Sequence, residues 1–140
     1  MKDAPTQRAL VFGWFLLAVS LPLGMTLEAL HALKVPVYLE SSLRRELWTL
    51  AHAHGTLLGI LCIAFAAVGE RTLSDERARA RVSRWLRAGA ALLPIGFFGG
   101  GVLNTEGDPS YAILLVPLGA ACLLVALFGA ALAARAPDRG

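Results

Sequence analysis

Four ionisable side chains interrupt sequence that is otherwise apolar: Glu28 and His31 in "LEALHAL", and His52 and His54 in "WTLAHAHGTLLGI". They include all three histidines of the chain. Imidazole nitrogens and carboxylate oxygens are the ligands that transition metals take, and an imidazole is the usual axial ligand of haem. Glu28 and His31 stand at i, i+3, the Glu-x-x-His spacing that metal-holding helical bundles use on one helix face. His52 and His54 stand at i, i+2, about 200° apart on a helix, so they cannot face one centre. His52 shares a stripe with Trp48, Gly55, Gly59 and Cys62, whose small residues mark a helix contact. It is expected to face the bundle interior. His54 groups with Leu50, Leu57 and Leu61, a face suited to lipid, a partner subunit or a flat apolar cofactor.

Convergence of Glu28, His31 and His52 would give a two-histidine, one-carboxylate set suited to iron, copper or zinc. Counted from the charged ends at 1.5 Å per residue, Glu28 and His52 both lie roughly 8–9 Å below the outer surface. A Glu28–His52 hydrogen-bonded pair, with Trp48 and Thr49 nearby, would satisfy both groups without any metal. Ionisable groups within membrane spans are costly, which makes these residues functional candidates.

The elements that must position them follow from composition. Of 140 residues, 56% are hydrophobic and 16% charged, and the charges are segregated. Four stretches are nearly free of them, and about 20 apolar residues cross the hydrocarbon core as a helix. The expected fold is all-α: one integral membrane domain, 1–140, as a four-transmembrane-helix bundle. Its helices are expected at about 8–33, 43–69, 82–104 and 109–134, with a short basic interfacial helix at about 74–84. The first stretch is too long for the h-region of a signal peptide and carries Glu28 and His31 where a cleavage site would be. With four spans, ten lysines and arginines fall on the side of the termini, Lys2 and Arg139 among them, and three (Lys34, Arg44 and Arg45) on the other. By that excess both termini are expected on the cytoplasmic side; the expected location is a bacterial inner membrane. It also accounts for the basic charge as topology, so nucleic acid is not an expected partner; the lipid bilayer is.

Arg77, Arg81 and Arg84 fall on one face at i, i+4 and i+7, suited to anionic headgroups, with Trp85 and Trp48 as interfacial anchors. Ser74 is the expected N-cap there, Ser41 or Ser42 the cap of the second helix, and Asp108 with Pro109 the start of the fourth. Pro22, Pro94 and Pro117 should kink their helices. Gly99, Gly100 and Gly101 mark a tight crossing, an irregular segment or a gap for a flat ligand. The stripe of Gly119, Cys122, Ala126, Gly129 and Ala133 suits helix packing or a homo-oligomer, and Cys62 and Cys122 read as packing residues. Five of the ten carboxylates (Glu28, Glu40, Glu46, Glu106 and Asp108) share the outer half with the histidines, whereas the inner halves of the spans are nearly blank. No phosphate loop, Gly-x-Ser-x-Gly or HExxH is present, so hydrolase or transferase chemistry is not expected, and a binding role is expected over an enzymatic one.

Residues 52–60, with "AHGTLLGI" at their centre, resemble the second transmembrane helix of haem–copper oxidase subunit I. There a histidine followed by glycine and an apolar run ligates the low-spin haem. The resemblance implies His54 as an axial haem ligand; the chain lacks that family's further helices and histidines, and so its catalytic centre and proton pathway. The chain also resembles small, uncharacterised bacterial four-helix membrane proteins with HAH-like motifs near a helix start, a likeness that implies no activity. Three functions are therefore expected in competition. The first is a redox or sensor module holding a haem or metal near the outer face, through His52 and His54 or through Glu28, His31 and His52. The second is a cofactor-free accessory subunit of a larger membrane complex, and the third a small transporter or channel subunit.

Overall fold

The computed structural model describes residues 3–102, 104 and 107–135; Lys2, Glu106 and Arg139 lie outside them. The chain runs α1 (Ala4–Ala32), α2 (Pro36–Leu39, a single turn), α3 (Ser42–Thr72), α4 (Glu76–Val102), a 3-10 turn (Tyr111–Leu114) and α5 (Leu115–Ala133). Four of these segments are long and apolar enough to cross a membrane. The arginine-rich stretch and the third apolar stretch form the single helix α4. Its first turns are built largely of alanine, arginine and glutamate, which propagate helix, and nothing there breaks it.

Local chemistry sets the helix ends. The Asp3 carboxylate accepts from the Thr6 N–H at 3.0 Å and opens α1. At the other end, the Val35 N–H reaches the Leu30 carbonyl at 3.0 Å and the Lys34 N–H reaches that of His31 at 3.1 Å. That is a Schellman closure, with Lys34 (φ 53°) in the left-handed position normally given to glycine. Ser41 caps α3, accepting from the Arg44 N–H at 3.2 Å. Two expected caps move by one or two residues. Asp75, not Ser74, caps α4, because its two carboxylate oxygens accept from the N–H groups of Arg77 and Ala78 at 3.0 and 3.2 Å. Ser110, not Asp108, starts the last helical segment, since its hydroxyl accepts from the Ala112 N–H at 3.4 Å.

Successive long helices run antiparallel, and α1, α3 and α4 pack on one another. Gly55, Gly59 and Cys62 are buried on α3, and Gly119, Cys122 and Ala126 on α5. Leu16, Leu58, Cys62, Leu86, Leu93 and Ala126 form the core. Helix α5 packs on α4; among the described residues none of its Cα atoms comes within 8 Å of α1 or α3. Large apolar side chains cover the outside, with Met25 74% and Phe15 and Phe128 each 64% exposed. Water disfavours so continuous an apolar surface. Pro22 and Pro94 lie inside helices that continue through them.

Candidate functional site

His52 projects from α3 onto α1. Its Nδ1 lies 2.8 Å from the Ser20 carbonyl oxygen. A carbonyl can only accept, so Nδ1 carries a proton, and the tautomer this selects has its lone pair on Nε2. The ring rests on bare backbone: a Cβ at Gly24 would lie 2.4 Å from Cε1, 2.7 Å from Nδ1 and 2.8 Å from Nε2. Only glycine at position 24 leaves room for the imidazole in the α1–α3 seam. The near-equal distances to the two nitrogens place the ring face over Gly24, so His52 is tied to α1 by its ring and by its Nδ1–H.

His54 faces another neighbour. Its Nδ1–H donates to the Leu50 carbonyl one turn earlier in α3, at 2.9 Å. Its ring tilts against Phe97 of α4, with centroids 4.9 Å apart. Here too Nδ1 carries the proton, but the bond stays within α3 and does not tie the ring to α1. His54 stands on the flank of α3 turned towards α4, and the gap between α3 and α5 opens on that flank. Farther along, that gap becomes a cleft of about 350 Å³ between Leu61, Phe65 and Val68 of α3 and Leu127 and Ala130 of α5.

The remaining sequence candidates are not gathered round His52. Glu28 and His31 are exposed. His31 instead meets Tyr38 edge-on at 6.4 Å. Among the described residues no three His, Cys, Asp or Glu side chains form a group able to hold a metal ion. The expected Glu28–His52 pair is not formed. His52 sits level with Ser20 and Gly24, and Glu28 is four residues farther along α1, a rise of about 6 Å. The buried place beside Glu28 goes to Leu27.

The glycine triplet proves to be a capped helix end. Trp48 Nε1–H donates to the Phe98 carbonyl at 3.2 Å, and the Ser110 hydroxyl to that of Gly99 at 2.9 Å. The Ser110 N–H takes the Gly100 carbonyl at 3.1 Å, and Arg44 Nε–H that of Gly101 at 2.9 Å. Carbonyls at a helix C-terminus lack intrahelical donors, and a cation there is favoured by the helix dipole. Arg44 also donates to the Val37 carbonyl and, at 2.9 Å, to Asn104 Oδ1. Trp48 is stacked between Tyr38 and Phe98, at 6.2 and 5.3 Å.

Sequence reasoning missed a cluster at the opposite end, where residues far apart in the chain meet. Thr6, fully buried, lies with its hydroxyl 2.6 Å from Asp3 Oδ1 and 3.0 Å from Glu70 Oε1. Arg79 Nε–H donates to Asp3 Oδ2 at 2.5 Å, and the buried Ser83 hydroxyl donates to the Pro5 carbonyl at 2.7 Å. Burial pushes the Asp3 carboxyl up, but the Thr6 hydrogen bonds and the Arg79 guanidinium outweigh it and hold the group below its usual range. Arg77, Arg81 and Arg84 are exposed, and Trp85 is 40% exposed. The small residues Gly13, Ser20 and Gly24, on one face of α1, are the sequence feature from which the His52 seat was legible.

No protein-family model, curated protein or solved structure matches the chain.

Proposed function

We propose that this chain is an integral protein of a bacterial inner membrane, with both termini cytoplasmic, that binds a haem or a transition metal through His54 near its outer face. One observation carries the choice of residue. Both α3 histidines have Nδ1–H held by a main-chain carbonyl, but His52 bonds across to α1 with its ring on Gly24, whereas His54 bonds within its own helix. A carbonyl on the far nitrogen fixes tautomer and ring orientation in ligating histidines and raises the basicity of the ligating nitrogen. In this reading His54 supplies Nε2 to an iron or other metal, Phe97 fixes the ring, and His52 holds α1 to α3. A bound haem would supply one-electron chemistry or gas sensing.

The optical spectrum and metal content of freshly prepared membranes and of purified protein test this. A visible absorption band or stoichiometric metal that is lost in His54→Ala and kept in His52→Ala is the expected result. Protein without band or metal overturns the reading. A second reading, an accessory subunit of a larger membrane complex, is supported by α5, which rests on α4 and leaves its other faces open. It predicts colourless, metal-free protein that co-purifies with partner chains.

A further inference from the structure

Helices α4 and α5 meet closely over their middle and diverge towards the end that carries Asp3. At Gly89 an added Cβ would lie 2.6 Å from Leu123 Cγ and 2.8 Å from the Gly119 carbonyl oxygen, so the two backbones touch there. At Gly129 the nearest atom to an added Cβ is Val82 Cγ2, at 3.7 Å. The divergence opens a cleft of about 450 Å³ between Arg81, Val82 and Trp85 of α4 and Val125, Gly129 and Leu132 of α5.

The chemistry of this cleft is graded along its length. Val125 and Leu132 make an apolar wall, and Val125 is 50% and Leu132 69% exposed. Trp85, an indole of the kind that favours the headgroup boundary, stands at the opposite wall. Arg81 is one turn nearer the helix end, about 6 Å along the axis. Among the described residues Arg81 makes no hydrogen bond or ion pair, whereas Arg79 is held by Asp3 and Arg87 bonds the Ser83 carbonyl. Asp75 at the rim is engaged in capping α4, its oxygens turned to the backbone N–H groups. An exposed guanidinium above an indole and a greasy wall matches a phosphate above the glycerol and acyl chain of a lipid. Among the described residues the cleft on the other flank of α5, of about 350 Å³, is lined without any cationic side chain.

We propose that the α4–α5 cleft is a specific seat for one anionic phospholipid, its phosphate on Arg81 and an acyl chain along α5 past Gly129. The seat is distinct from general attraction of the arginine face to a charged surface, because Arg77 and Arg84 are as exposed but do not line the cleft.

Native mass spectrometry of the full chain, released from micelles holding equal phosphatidylglycerol and phosphatidylcholine, tests it. Wild type is expected to retain one lipid, phosphatidylglycerol over phosphatidylcholine. Arg81→Gln should lower that preference about fivefold, the effect of one interfacial cation. Arg77→Gln should leave it unchanged, and Gly129→Phe should remove the retained lipid while the far-UV spectrum stays helical. Glycerol phosphate should not displace the lipid. Equal loss in Arg77→Gln and Arg81→Gln would reduce the site to surface charge. Retention in Gly129→Phe, displacement by glycerol phosphate or an absence of headgroup preference would each overturn it.

Discussion

Replacing Gly24 by alanine probes the α1–α3 seam at its narrowest point. The new Cβ would fall 2.4 to 2.8 Å from three atoms of the His52 ring, closer than van der Waals contact allows. Either the helices separate or the ring swings away from the Ser20 carbonyl, to which Nδ1 donates at 2.8 Å. Overpacking of this kind costs about 1–3 kcal/mol. Loss of the hydrogen bond adds about 0.5–1.5 kcal/mol. Alanine recovers about 1 kcal/mol of helix propensity over glycine. The net expectation is a loss of about 2 kcal/mol, some thirtyfold in the folding equilibrium. The decisive measurement repeats the substitution in a His52→Ala background, with unfolding in mixed detergent micelles followed by far-UV circular dichroism. With the ring gone, Gly24→Ala should become neutral or stabilising by up to about 1 kcal/mol, which makes the coupling between the two sites about 2–3 kcal/mol. Equal destabilisation in both backgrounds would refute the claim that position 24 is glycine because of His52.

Two further outcomes follow from the ends of the bundle. Because the folded Asp3 carboxyl titrates below its unfolded value, its contribution to stability is present above about pH 4 and is lost as pH falls through the lower folded value. Asp3→Asn should therefore flatten the acid limb of stability against pH and leave the neutral-to-basic limb parallel to wild type. Arg44→Met removes the donors to Gly101, Val37 and Asn104. It should cost about 2–4 kcal/mol, measured by the same unfolding, because partly buried carbonyls lose a charged donor.

The fold was legible because apolar length is a non-local signal that survives coarse reading: four charge-poor stretches became four long helices. The faces of α3 were legible too. An i, i+2 pair must diverge on a helix, and His52 and His54 do meet α1 and α4 respectively. What could not be read was relative depth. Counting from charged ends set Glu28 level with His52, but the helices are offset so that Gly24 takes that place. Nor could the Asp3–Thr6–Glu70–Arg79 cluster be read, because its members lie up to 76 residues apart with no shared period. Arg79 sits among exposed arginines of the same type, and only the tertiary packing of α1 against α4 separates it from them.

The failed Glu28–His52 pairing and the hydrogen bonds that replace it have one physical cause. In helices surrounded by apolar groups, every main-chain carbonyl keeps a second lone pair after its helical bond is made. Such an acceptor is present at every depth, whereas a carboxylate must be at the right depth and must be stripped of water to reach it. His52 donates to Ser20, His54 to Leu50, Trp48 to Phe98, Arg44 to Gly101 and Ser83 to Pro5, all main-chain oxygens. Satisfying a histidine this way uses only its donor. The acceptor nitrogen remains. His52 spends its donor on α1 and lays its ring on the Gly24 backbone, which ties it into the seam. His54 spends its donor within α3 and leans on Phe97, and for that reason the proposed function gives any ligand chemistry of the pair to His54.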